Sequence, residues 1–283
     1  MDYEPVTKEI RKQIFLSAYG ASIAHLASAF SIVEVLYVLY DLRVLRYDPH
    51  NPEDPRRDWL ILSKGHGSLA LYHALFRCGF LSEEAMETFS KPGTCLGGEP
   101  CYPLTPGVEC STGSLGHGLG FAVGVAKAKK LDHRGERVFC LVGDGECEEG
   151  SNWEAVQFAV HQKLDNLVIL VDANGLQKMD SLERVAGIHS LAPRFQVMGC
   201  EVREIDGHCI PELQACLTKE NRKDTPLVVI LRTVKGKGVS CMENDPDWHW
   251  RLPKKKELKY FIKDLGITEE ELEHAKSLRG SAL

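Results

Sequence analysis

Apolar positions along the chain follow two rhythms. From Thr7 to Tyr19, Ile10, Ile14 and Phe15 recur at helical spacing among Lys and Arg. A second helical pattern runs from about His25 through Asp41, with Phe30, Val33, Leu36 and Tyr37 apolar. The Pro-, Asp- and Asn-rich stretch from Arg46 to Arg57 reads as a loop. Trp59–Leu62 reads as a short buried strand that feeds Ser63-Lys64-Gly65-His66-Gly67 and a helix from about Ser68 to Cys78. Residues 91–112 hold four prolines and no periodicity, which predicts a long ordered loop of the kind that usually carries function.

Helical periodicity returns from Gly116 to Leu131, and from there the pattern alternates. Strands are predicted at Val138–Val142, Leu167–Val171, Glu201–Ile205 and Leu227–Leu231. Helices are predicted at Ser151–Lys163, Ala192–Met198 and Pro211–Lys219. Short β-branched runs separated by helices predict an α/β fold, a doubly wound parallel sheet with helices on both faces. A domain over 1–253 is expected, followed by a peripheral helical extension over 254–283. In that extension Lys254-Lys255-Lys256 reads as a solvated face and Thr268–Leu278 as a helix.

Composition narrows the partners. The chain has 283 residues, 43% hydrophobic and 26% charged, with 34 basic against 40 acidic side chains for a net charge of −6. That balance suits a soluble globular protein with a sizeable core and argues against nucleic-acid or anionic-membrane binding. No apolar run approaches the roughly 20 residues that span a bilayer. The ten cysteines show no CxxC pair and no zinc spacing, and the opening MDYEPVTKEIRKQ lacks an apolar signal core. A cytoplasmic protein with reduced thiols is expected, with Cys140 in VFCLVG a small buried hydrophobe.

Ligands of such sheets bind beyond the carboxyl ends of the strands. Three loops there carry polar chemistry: the one holding Lys64 and His66, the one reading Gly143-Asp144-Gly145-Glu146-Cys147-Glu148-Glu149-Gly150, and Asp172-Ala173-Asn174-Gly175-Leu176. A single Gly-Asp-Gly after a strand is ordinarily a turn. Two such loops one βα unit apart bring a carboxylate and an amide oxygen, Asp144 and Asn174, towards one point if their strands are neighbours. Those oxygens suit Mg²⁺ or Ca²⁺ with a diphosphate. Gly143 and Gly145 would let backbone N–H groups reach a phosphate, and the helix opening near Ser151 would add its positive end. No G-x-x-x-x-G-K-[ST] is present, and the glycines from Gly113 to Gly120 lack dinucleotide spacing.

VFCLVGDGECEEGSNWEA followed by NLVILVDANGL resembles the thiamine diphosphate motif. LSKGHGSLALYHAL, PGVECSTGSLGHGLGFAVG, SIAHLASAFSIVEVLY and TVKGKGVSCMENDPDWHW resemble transketolase, in order from about Tyr19 to Pro253. The resemblance implies that Asp144 and Asn174 ligate Mg²⁺ (or Ca²⁺ or Mn²⁺) with the carbonyl of Leu176, and that Gly145 contacts the diphosphate. It places His66 and His249 near the diphosphate and reacting centre, His25 beside the substrate, and Gly113 and Leu115 along the cofactor rings. Glu149 matches a glutamate at the subunit interface coupled to the neighbouring chain's catalytic glutamate. His25, His66 and His249 would serve proton transfers, because an imidazole titrates near neutrality. His117, His161 and His189 match no such role.

Transketolases pair this half with a pyrimidine-binding half that supplies the activating glutamate. A separate C-terminal subunit is therefore expected, two copies of each chain (α2β2), acting on sugar phosphates by two-carbon ketol transfer. The alternatives are an α-type subunit of a 2-oxoacid dehydrogenase and a non-catalytic scaffold of the same fold. Two departures from the family stand out. Gly97-Gly98-Glu99-Pro100 replaces a common Gly-His-Pro, so a carboxylate pointing inward would repel a phosphorylated or sulfonated sugar. Trp250 replaces a small residue after His249, and would narrow the site or pack against the tail.

Overall fold

The computed structural model describes residues 2–23, 25–219 and 221–278. Five strands, β1 (Trp59–Leu62), β2 (Val138–Gly143), β3 (Leu167–Ala173), β4 (Glu201–Asp206) and β5 (Leu227–Arg232), form one parallel sheet in the order β1-β2-β3-β5-β4. The expected doubly wound α/β architecture is present.

The strands read as continuous apolar runs because both faces are covered. Phe139, Leu141, Val168, Leu170, Leu227 and Val229 enter one core. The alternating Val138, Cys140, Val142, Leu167, Ile169 and Val171 enter the other, as the two-residue repeat of a strand requires. The first core is covered by α1 (Glu4–Ala21), α2 (Leu26–Phe30), α3 (Val33–Tyr40) and α4 (Ser68–Arg77). After the short α5 (Glu83–Glu87), α6 (Gly118–Leu131), α7 (Gly150–His161), the short α8 (Leu182–Ala186) and α9 (Ala192–Val197) cover the second. The connection from β4 back to β5 reverses direction, and its helix α10 (Ile210–Thr218) lies on the first face. A right-handed crossover demands that change of face when the chain turns back. β3 thus sends the chain to one face and β5 to the other, opening a crevice between their carboxyl ends.

Edge strand β4 carries Glu201, Arg203, Glu204 and Asp206, with Arg203 and Glu201 paired at 2.7 Å, a charged rim that discourages further strand addition. The helix expected from His25 to Asp41 is instead broken between α2 and α3. At the break Ser31 Oγ donates to Ser28 O (3.2 Å) and to Asp172 Oδ2 (2.8 Å), so a tertiary bond overrides a continuous helical pattern. The segment after residue 253 carries α11 (Leu258–Leu265) and α12 (Glu269–Ser277). Lys254–Lys256 are exposed, but Phe261, Leu265, Leu272 and Ala275 are buried, the first three within the first core. The end of the expected extension, 279–283, lies outside the described residues. Every cysteine is free, Cys140 is buried, and no described helix is long and apolar enough to cross a membrane.

Phe261 is fully buried, 4.8 Å from the ring of Phe15 and 5.4 Å from that of Trp248. Phe261→Ala is expected to lower unfolding stability by about 3–5 kcal/mol. Urea denaturation checks this, and a loss near zero would detach α11 from the core.

Candidate functional site

β2 and β3 are hydrogen-bonded neighbours with Gly143 opposite Asp172, so the loops that leave them meet at the carboxyl edge of the sheet. Asp144, 5% exposed, accepts from Gly145 N (2.8 Å) and across the gap from Gly175 N (2.6 Å). Asn174 Oδ1 accepts from Leu176 N (3.1 Å), and its Nδ2 donates to Asp172 Oδ2 (3.1 Å). Burial, and then the charge of Asp172, push the Asp144 carboxyl up to about 7. A carboxylate held at that cost is matched to a cation. Among the described residues no three His, Cys, Asp or Glu side chains cluster as a metal site. The Asp144 carboxylate, Asn174 Oδ1 and Leu176 O form a set of hard oxygens instead. That set fits Mg²⁺, which keeps positions for phosphate oxygens and water.

Beneath these oxygens lies a buried ion pair that sequence reasoning left without a role. Asp172, fully buried, accepts from Lys64 Nζ, Ser31 Oγ (2.8 Å) and Thr233 Oγ1. Burial works to raise its carboxyl, but the Lys64 ammonium and the Thr233 and Ser31 hydroxyls hold it below the ordinary carboxylate range. Lys235 was missed as well. Its Nζ donates to Leu176 O (3.1 Å) and Gln177 O (3.2 Å) and lies 3.3 Å from His249 Nδ1. Burial and then Lys64 pull its ammonium down to about 8. The available signals were a charge inside an apolar strand (LVILVDA), which demands a partner, and two lysines in glycine-rich loops.

His25, His66 and His249 form a triangle with ring centroids 5.4, 5.6 and 5.7 Å apart. His66 and His249 line a cavity of about 260 Å³ together with Lys64, Leu115, Asp144 and Lys235. Burial first, then the neighbouring cations, pull His25 and His249 down to about 4, and His66 is pulled down by burial and Lys64. All three are neutral at neutral pH, each with one donor and one acceptor nitrogen. Trp250, 56% exposed, stands edge-on to His25 at 4.0 Å, and neither ring lines the cavity itself.

Other expected residues have mixed placements. Gly143 and Gly145 line the cavity, but their N–H groups are already engaged. Gly143 N donates to Glu146 Oε2 (3.0 Å) and Gly145 N to Asp144 Oδ1, so neither donates to a phosphate in this conformation. No residue of the first turn of α7 lines the cavity, and Ser151 Oγ donates to Gly116 O (2.8 Å). Glu149 is exposed at the start of α7 and does not line the cavity. Gly113 needs its glycine: its φ is +133°, and a Cβ there would stand 3.1 Å from Glu99 Oε2. Glu146, read only as part of a loop, joins three segments by accepting from Ser63 Oγ, Gly116 N and Gly143 N. A cavity of equal volume between α1, α4, α5 and α12 has Glu83, Glu87, Glu271 and His274 on its walls but no loop from the carboxyl edge of the sheet, and its buried His73 is bonded to Ser17 (3.1 Å).

Residues 15–278 match the transketolase thiamine diphosphate-binding domain. The chain is 39% identical over 212 residues to one of the subunits of the apulose-4-phosphate transketolase of Actinobacillus succinogenes, covering 75% of this chain and 77% of that protein. It is 38% identical over 190 residues to a 6-deoxy-6-sulfo-D-fructose transketolase subunit of a Clostridium species, covering 67% and 69%. The crystal structure of transketolase from Campylobacter jejuni superposes with a TM-score of 0.84 at 28% identity. The match covers 99% of this chain and 47% of that one, so this chain spans about half the length of that solved enzyme.

The histidine triangle yields a direct test. In the ligand-free chain, the imidazole NMR signals of His25 and His249 are expected to titrate near 4. Midpoints near the ordinary value of about 6.5 would show that the lysines and burial do not govern the site.

Proposed function

Because the chain belongs to the transketolase family, in its thiamine diphosphate-binding domain, we propose that it is the N-terminal subunit of a split transketolase. It would transfer a two-carbon ketol unit from a ketose to an aldose, with sugar phosphates as substrates. The observation that carries the reading is the convergence of Asp144, Asn174 and Leu176 oxygens with His66, His249 and Lys235 on one cavity. Relatives named as transketolase subunits support it, since the chain covers 77% and 69% of two of them. The partner would be a C-terminal subunit carrying the pyrimidine-activating glutamate, in an α2β2 assembly in the cytoplasm.

Thiamine diphosphate, when bound, supplies the electron sink that lets a carbon–carbon bond beside a ketose carbonyl break. The chain's own part is orientation, charge and protons. Asp144, Asn174 and the Leu176 carbonyl would hold Mg²⁺ (or Ca²⁺ or Mn²⁺). Lys235, already on the Leu176 and Gln177 carbonyls, places a positive charge where diphosphate oxygens would lie. Gly145 would contact the diphosphate through its backbone, once its N–H is released from Asp144 Oδ1. Gly113 and Leu115 would border the cofactor rings, and Glu149 would meet the partner subunit. His25, His66 and His249 are neutral, so each would accept a hydrogen bond from a sugar hydroxyl at one ring nitrogen. Pulled down as they are, they are weaker bases than the near-neutral imidazoles the sequence led us to expect, and the negative charge of a bound diphosphate would be needed to raise them for proton transfer.

Two experiments test this reading. The purified chain with thiamine diphosphate and Mg²⁺ is expected to show no ketol transfer, and addition of the C-terminal subunit to restore it. Robust turnover by the chain alone, or 2-oxoacid decarboxylation in place of ketol transfer, would overturn it. Asp144→Asn keeps an acceptor for Gly175 N while removing the charge. It is expected to weaken Mg²⁺-dependent thiamine diphosphate binding by on the order of 100-fold in calorimetry, with thermal unfolding unchanged. An unchanged affinity would take Asp144 out of the site.

A further inference from the structure

A buried cluster outside the cavity reaches the site through the backbone. His208 follows β4, and its ring lies against the loop that leaves β5, where Val234 N donates to His208 Nε2 (2.8 Å). A ring nitrogen that accepts from an N–H group carries no proton, so the imidazole proton is on Nδ1. From there it is donated to Glu34 Oε2 (2.9 Å). Glu34 also accepts from Arg11 (2.8 Å), and Arg11 Nη2 donates to Phe30 O (2.9 Å). Arg11 and Glu34 are buried, and the His208 side chain is 12% exposed. Burial works to raise the Glu34 carboxyl, but the Arg11 guanidinium and the His208 N–H hold it below the ordinary carboxylate range. An ionised acceptor on one ring nitrogen fixes the tautomer that leaves the other free to accept.

The two backbone groups held by this cluster flank the partners of Asp172. Phe30 precedes Ser31, and Val234 stands between Thr233 and Lys235. Ser31 and Thr233 donate to Asp172, while Lys235 donates to the carbonyls of Leu176 and Gln177 on the cavity wall. The turn that carries His208 is pressed close to the same loop. Gly207 N donates to Arg232 O (2.8 Å), and a Cβ on Gly207 would overlap Thr233 Cγ2. β5 ends at Arg232, so the Val234 N–H depends on the imidazole rather than on the sheet. His208 itself does not line the cofactor cavity. We propose that His208 is a positioning residue: held by Glu34 as the Nδ1–H tautomer, it fixes Val234 and thereby sets Lys235 where the diphosphate would lie. Partners one step removed from a binding group tune it by holding its geometry.

The proposal rests on the transketolase reading, and its test separates the two. Nitrogen NMR shifts of the His208 ring are expected to show Nδ1 protonated and Nε2 free, and a protonated Nε2 would overturn the proposal. Two amides then divide the ring's bonds. Asparagine reaches only as far as Nδ1, so His208→Asn can keep the bond to Glu34 and loses Val234. Glutamine reaches as far as Nε2, so the oxygen of His208→Gln can still accept from Val234 N. In calorimetry of the subunit pair, His208→Asn is expected to weaken Mg²⁺-dependent thiamine diphosphate binding about tenfold, and His208→Gln less than about twofold. Each variant gives up one of two bonds, so thermal unfolding is expected to fall by similar amounts in both. A purely structural role would make affinity follow that fall. An affinity unchanged in His208→Asn, or lowered equally in both variants, would overturn the proposal and leave the transketolase reading standing. A wild-type pair that binds no thiamine diphosphate would overturn that reading and this proposal with it.

Discussion

A carboxylate fully buried in a parallel sheet must be paired, and the partners of Asp172 organise the site. They come from four places distant in sequence: Ser31 between α2 and α3, Lys64 after β1, Asn174 in the next loop and Thr233 after β5. Removing any one would leave a charge in low dielectric with less compensation, the situation in which a buried pair becomes costly to break. The break in the helix at Ser31 and the descent of Lys64 into the core follow from this one constraint. So does the meeting of the β1, β3 and β5 loops at one carboxylate.

The same constraint sets the electrostatics above it. Lys64 answers Asp172, so Asp172 stays ionised and its charge bears on Asp144, whose own donors are two backbone N–H groups. One carboxylate is satisfied and its neighbour is left seeking a cation. Lys235 cannot fully supply it, because its ammonium is bound to the Leu176 and Gln177 carbonyls and is pulled down by Lys64. Burial first, and then the charges of Lys64 and Lys235, keep the three half-buried or buried imidazoles neutral. The metal demand and the neutral histidine cluster thus share burial at the carboxyl edge of the sheet as their chief cause, to which the charges of the ion pair add.

What was legible in the sequence divides along the same line. Strand order aside, the sheet could be read because each strand is a short apolar run bounded by turns, and Asp144 and Asn174 could be read because both stand just past a strand. Their convergence needed the neighbouring of β2 and β3, which periodicity does not encode. His66 stood in a loop just past a strand, but His25 and His249 were marked by resemblance alone, since a histidine in a helical or aromatic setting looks the same whether it packs or reacts. Lys235 and Glu146 escaped because their roles depend on partners 59 and 83 residues away or on loop backbone, as with Leu176 O and Ser63 Oγ. The N–H groups of Gly143 and Gly145 were read as free because glycine spacing says nothing of which acceptor folds back onto them.

Groups that conflict with folding are the most informative remainder. A core optimised only for stability would not hold Asp144 and Glu99, both carboxyls pushed up to about 7 chiefly by burial and neither facing a cationic side chain in a hydrogen bond. Proteins break the rule of satisfied buried polar groups where a ligand completes the set. The two carboxyls sit in different loops, one at the oxygen cluster and one at the seam of Gly65 and Gly113, with His66 following that seam. A cation held among the Asp144, Asn174 and Leu176 oxygens would resolve the first conflict, and a hydrogen-bond donor brought to Glu99 Oε2 would resolve the second.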